Sequence, residues 1–215
     1  MRIELRNVGK RYNRDWVFKN LSYTFISGTK YAITGPNGSG KSTLLQVIIG
    51  SASIHQGSII YHSAQKNLPV SKVASEFSFA APYIDLIEEM TLSEFLGFHG
   101  RMKGWIPGVK ISDLVRDINL QYAMSKQLRY FSSGMLQRVK LLTAFCSNVE
   151  VILLDEPTSN LDDEGKNDYK RLLNKFGDKR LLIIASNDKS EYECCKEIID
   201  LSDYRPQSNL RTVNQ

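Results

Sequence analysis

Gly35-Pro36-Asn37-Gly38-Ser39-Gly40-Lys41-Ser42-Thr43 satisfies the phosphate-binding pattern G-x-x-x-x-G-K-[ST] at every fixed position. Its flanks have the matching character. Tyr31 to Thr34 is a short apolar run that predicts a buried strand, and Leu44 to Ile49 predicts a buried helix that Gly50 stops. A strand, a glycine loop and a helix start aim several backbone N–H groups and the positive helix end at one point, which suits phosphate. Lys41 can then reach the terminal phosphates, and the Ser42 hydroxyl can complete a Mg2+ shell. An ordinary glycine-rich turn between strand and helix is the plain alternative, and the complete pattern in this context disfavours it. The stretch predicts a nucleoside triphosphate site.

The 215 residues suit one α/β domain with room for a small inserted subdomain. Hydrophobic residues make up 42% and charged residues 24%, enough for a packed core and against wholesale disorder. The longest aliphatic runs, Val151 to Leu154 and Leu181 to Ala185, are far too short to cross a bilayer. Met1-Arg2-Ile3-Glu4-Leu5-Arg6 mixes charge with apolar residues and does not read as a signal peptide. A soluble, cytoplasmic protein is expected. Cys146, Cys194 and Cys195 show no C-x-x-C spacing, so they read as buried thiols in a reducing compartment. The net charge of +5 comes from scattered Lys and Arg. It gives no concentrated stripe for nucleic acid, and would equally favour a place near an anionic membrane surface.

Along the chain, Arg2 to Val8 and Leu21 to Ile26 alternate as strands, and Ser58 to Tyr61 and Phe77 to Ala80 predict two more. Thr91-Leu92-Ser93-Glu94 is a capping box that opens a helix toward Arg101. Gly104, Pro107 and Gly108 break it, and Ser112 to Asn119 starts another, so a helical insertion is expected over about 83–130. Ser132-Ser133-Gly134 begins a long apolar-periodic helix through Phe145. An acid-rich helix from Asp162 stops at Gly177, Leu181 to Ala185 is a buried strand, and a helix is expected around Ser190 to Cys195. Ile198 to Leu201 is a candidate closing strand, and the tail from Tyr204 is polar.

Phosphate loops serve many families, so their partner residues must choose among them. Val151-Ile152-Leu153-Leu154-Asp155-Glu156 is a buried strand ending in two carboxylates. Asp155 can hold Mg2+ directly or through water, and Glu156 can polarise an attacking water. Two acids that merely end a strand are the plain alternative.

With these residues in place the chain resembles the nucleotide-binding subunit of an ABC transporter over nearly its whole length. Phe131-Ser132-Ser133-Gly134-Met135, with Gln137-Arg138, places Ser132 91 residues beyond Lys41, where that family carries its L-S-G-G-Q signature. Pro157-Thr158-Ser159-Asn160-Leu161-Asp162 looks like its D-loop link. The resemblance implies a P-loop NTPase fold: a RecA-like core, an antiparallel β portion and an inserted helical subdomain in one ATP-binding domain spanning 1–215. It implies ATP and Mg2+ as ligands, held by the nine loop residues, by Tyr12 stacked on adenine, and by Ser132, Ser133, Gly134 and Asp162. Ser42 and Asp155 would hold the metal, and Glu156, Lys41 and Asn187 would carry catalysis. Tyr12 reads equally as a core or surface aromatic, and Trp16 is a second candidate for the base. The implied partners are a second copy in a head-to-tail homodimer and a separate transmembrane permease at the inner face of the plasma membrane; no nucleic acid is expected.

Two family positions are altered. Where a glutamine normally follows the strand Phe77 to Ala80, this chain has Ala81-Pro82-Tyr83, and where a histidine follows Leu181 to Ala185 it has Ser186-Asn187-Asp188. Asn187 can donate a neutral hydrogen bond but carries no transferable proton. Slow ATP hydrolysis is expected, since losing one donor to a transferring phosphoryl group costs roughly 10²–10³ in rate. An ATP-binding regulatory module with little turnover is the rival. The stretch Pro82-Tyr83-Ile84-Asp85-Leu86-Ile87 is a candidate dock for the membrane partner, with a plain core loop as the alternative.

Overall fold

A computed structural model of the chain describes residues 1–63 and 66–206. Its centre is a five-stranded parallel sheet of β3 (Lys30–Thr34), β6 (Phe77–Ala80), β7 (Val151–Asp155), β8 (Leu181–Ala185) and β9 (Glu197–Asp200), in the order β6-β7-β8-β3-β9. Every residue of β7 and β8 is buried. That follows from their continuous apolar runs, because a central parallel strand is covered on both faces. The register pairs Ala80 with Leu154, Asp155 with Ala185, and Ile33 with Ala185. The ends of four strands therefore reach the same edge, and the loops after them meet there, where ligands of such sheets bind.

One face of this sheet packs on α1 (Lys41–Ile48) and on a four-stranded antiparallel sheet of β1 (Arg2–Tyr12), β2 (Asp15–Ile26), β4 (Gln56–Ser63) and β5 (Lys66–Asn67), ordered β2-β1-β4-β5. The short α2 (Val70–Val73) leads from β5 to β6. The opposite face carries α3 (Leu92–Lys103), α4 (Ile111–Asp117), α5 (Ser133–Cys146) and α6 (Asp163–Phe176), and α7 (Lys189–Tyr192) follows β8.

Local chemistry sets most of the helix ends. Thr91 and Glu94 close the capping box of α3, Ser132 accepts from the Met135 N–H at the start of α5, and Asp162 accepts from the Gly165 N–H at the start of α6. Three elements differ from expectation. β1 and β2 run much further, to Tyr12 and from Asp15, because bulges near Asn7 and Asn20, both left-handed, let a charged stretch stay paired. The helix expected around Ser190 to Cys195 is the four-residue α7. The polar tail expected from Tyr204 continues past the described residues.

Candidate nucleotide site

The loop 35–40 leaves β3 and turns into α1. Gly40 takes φ 101°, and a Cβ there would lie 2.2 Å from Val17 Cγ1, so only glycine fits at the helix start. No side chain caps this helix and no acid stands in its first turn. Its first N–H groups have no intrahelical acceptor, which leaves them for an anion. Lys41 is buried, and its Nζ folds back to donate to the Gly35 carbonyl at 2.8 Å and the Pro36 carbonyl at 3.4 Å. Ser39 Oγ is buried with no hydrogen-bond partner among the described residues. A buried hydroxyl with no partner among the described residues, a lysine held on loop carbonyls and an open helix end form a cradle suited to an anion.

Beside the cradle lies a compact oxygen-rich cluster. Asp155, 2% exposed at the end of β7, accepts from the Tyr83 hydroxyl at 3.0 Å, with Ser42 close beside it. Burial pushes its carboxyl upward from the usual range, against the pull of these donors and of Lys41. Burial, the facing Asp155 and its hydrogen bond push the Tyr83 phenol well up, so it stays protonated and donates. Glu156 follows in the left-handed region at φ 43°, its N–H donating to the Ala185 carbonyl at 2.9 Å. Such a backbone costs about 1–3 kcal/mol and persists at sites that need it. It turns Glu156 outward, where it lines a cleft of about 380 Å³ with Tyr12, Gly38, Gly40, Lys41 and Ser42.

Asn187, after β8, donates from Nδ2 to Asn37 Oδ1 on the glycine loop at 3.0 Å. The third strand-end loop is thereby tied to the cradle. Tyr12 is half-exposed on the same cleft with Lys10 above its ring, whereas Trp16 carries Arg11 and Lys19 over its own ring.

The signature residues lie elsewhere. Ser132, Ser133 and Gly134 line a second cavity of about 530 Å³ together with Asn160 and Asp162. Asp162 accepts from Arg138 at 2.8 Å in addition to capping α6. No described residue lines both this cavity and the cleft at the glycine loop. The structure thus gathers Tyr12, the glycine loop, Asp155, Glu156 and Asn187 into one place, and Ser132, Ser133, Gly134 and Asp162 into another. Two residues went unassigned at sequence level. Tyr83 stood within the stretch that replaces the glutamine and within the candidate dock, with no role of its own, and Glu191 had none; the Glu191 carboxylate accepts from both the N–H and the hydroxyl of Thr158. The signal for Tyr83 was its place three residues past a strand parallel to β7.

Residues 18–159 match the model of the ABC transporter family. The chain belongs to the ABC transporter family. Among its relatives, the zinc import ATP-binding protein ZnuC of Ehrlichia chaffeensis is 30% identical over 81% of this chain and 68% of its own length. The lantibiotic transport ATP-binding protein SrtF of Streptococcus pyogenes is 27% identical over 92% of this chain and 85% of its own. Against the phospholipid-transporting ATPase ABCA7 of Homo sapiens, 28% identical, 89% of this chain covers 9% of that protein. A dimeric ATP-binding cassette in a post-hydrolysis state bound to ADP and Pi superposes with a TM-score of 0.75 over 92% of this chain and 93% of that one. At 23% identity that likeness establishes the fold, a P-loop NTPase. This chain is the ATP-binding, ATP-hydrolysing component of an ABC transporter. No helix among the described residues is long and apolar enough to cross a membrane.

Proposed function

We propose that this ABC subunit works as one half of a head-to-tail pair that closes on two ATP molecules and drives a separate transmembrane permease from the cytoplasmic face. The observation that carries the reading is the separation, within one copy, of the phosphate cradle from the exposed helix start at Ser132 to Gly134. A helix start with a serine hydroxyl and free N–H groups suits a phosphate; head-to-tail pairing would bring it to the cradle of the other copy. Residues 1–215 act as one ATP-binding domain, with about 83–130 as its helical subdomain.

In this site the glycine loop and Lys41 hold the phosphates, and Tyr12 offers its exposed ring to the adenine. Ser42 and Asp155 are hard oxygen donors beside the cradle, the kind of set that Mg2+ accepts when substrate phosphates and water complete its shell. Held by Ser42 and Asp155, Mg2+ would supply positive charge against the phosphate oxygens. Glu156 orients a water for in-line attack and takes its proton, and Asn187 donates a neutral hydrogen bond to the γ-phosphate with its second Nδ2 hydrogen. Ser132 and the following amides grip the same γ-phosphate from the other copy, and Asp162 holds that surface in place through Arg138. The relatives' names mention zinc, lantibiotics and phospholipid, cargoes with no common chemistry, which supports selection of cargo by the membrane partner.

The test is ATP turnover with Mg2+ for wild type and Glu156→Gln, with mass by light scattering in the same samples. Loss of the general base is expected to lower turnover by roughly 10²–10⁴ and to leave an ATP-stabilised dimer. Unchanged turnover removes Glu156 from its role. Binding and dimerisation without turnover in wild type favour a second reading, a regulatory module, which the replacements at Pro82 and Asn187 support.

A further inference from the structure

Tyr83 belongs to the loop after β6, and its phenol crosses to the end of the neighbouring β7. It donates to Asp155 Oδ2 at 3.0 Å, with Ser42 and Gln46 beside it. The ring is held from two sides. It stands edge-on to Phe79 at 6.3 Å, and its loop is fastened to α5 by Lys140 Nζ, which donates to the Pro82 carbonyl at 2.8 Å. The Ile84 N–H donates to the Ala81 carbonyl at 3.2 Å and closes the turn around it. A buried carboxylate with about four lone-pair directions accepts one phenol and still has room for an ion or its water.

We infer that Tyr83 is the positioning residue of the divalent-ion site, its phenol fixing the Asp155 carboxylate against Ser42 and so setting the affinity for the ion. This rests on the ATP-binding reading proposed above. A carboxylate ligand supported by a hydrogen bond keeps its orientation when the ion is absent, so less ordering is left to binding; loss of such support typically weakens metal affinity 10–100-fold. The phenol is also half-exposed on the stretch 82–87, so a partner that moved this loop would alter the ion site through one hydrogen bond.

The experiment uses Mn2+ as the probe ion, titrated into the full chain with ADP, with free Mn2+ read by electron paramagnetic resonance. Tyr83→Phe keeps the ring on Phe79 and removes only the hydroxyl; it is expected to weaken Mn2+ binding roughly 10–100-fold. Binding of a fluorescent ATP analogue in EDTA should remain as in wild type. Phe79→Leu removes one of the two supports of the ring but keeps the phenol, and should cost less Mn2+ affinity than Tyr83→Phe. Equal or tighter Mn2+ binding by Tyr83→Phe overturns the inference, as does an equal loss in Phe79→Leu, which would reduce Tyr83 to packing. Failure of the wild type to bind the ATP analogue in EDTA, or equal binding by Lys41→Ala, overturns the ATP-binding reading itself and the inference with it.

Discussion

At the scale of single residues, Asn187 decides how far this site departs from a charged one. Its carboxamide donates one Nδ2 hydrogen to Asn37 Oδ1 at 3.0 Å and keeps a second for a γ-phosphate. A histidine at the same place would add a group that is partly cationic near neutral pH. Asn187→His is expected to hydrolyse ATP as fast as wild type or faster at pH 7, and to acquire a rate dependence near pH 6.5 that wild type lacks. Steady-state turnover between pH 6 and 8 checks both parts; a large loss would mean that the Asn187–Asn37 bond itself is required. Lys41, Ser42, Asp155 and Glu156 were legible in the sequence because each stands at a fixed distance from a glycine loop or at the end of an apolar run. Tyr83 was not. Its contact with Asp155 spans 72 residues and arises from the parallel register of β6 on β7, which no local pattern encodes.

At the scale of elements, helix starts were readable and strand lengths were not. A capping residue announces itself within one turn, as Thr91, Ser132 and Asp162 do. The extent of β1 and β2 instead depends on two bulges and on pairing across the hairpin. Packing between helices adds its own chemistry at His99 of α3. Its Nε2 lies 2.7 Å from Ser147 Oγ at the end of α5, and Ser147 Oγ already donates to the Thr143 carbonyl at 2.6 Å. The serine therefore accepts, and His99 carries its proton on Nε2. Burial, with a smaller push from Lys103, lowers the imidazole to about 4. Between about pH 6.5 and 4 the unfolded chain binds a proton here that the folded chain refuses, so stability falls as pH falls through that window. His99→Gln, which keeps a neutral donor, should show a smaller drop in urea midpoint from pH 7 to pH 5 than wild type. An identical drop would place the acid sensitivity elsewhere.

At the scale of the whole molecule, the phosphate cradle and the Ser132 to Gly134 helix start line separate cavities, and the strongest test uses that separation. The phosphate cradle belongs to α1 and the strand ends, while the Ser132 to Gly134 surface belongs to α5 and shares its cavity with Asp162. Lys41→Ala should abolish turnover because the cradle loses the buried cation held at its loop carbonyls. Gly134→Asp should abolish it too, by setting a carboxylate where a phosphate must approach the helix start. Each variant spoils both sites of its own homodimer. A heterodimer made of one copy of each concentrates both defects in one site, and the other pairs an intact cradle with an intact helix start. Mixing the two inactive variants in equal amounts is therefore expected to restore roughly a quarter of wild-type turnover, since half the dimers are mixed and each has one sound site. Turnover of the mixture, with light scattering to follow dimers, checks this. A mixture as inactive as its components would mean that a single copy closes on its own nucleotide, or that both sites must fire together.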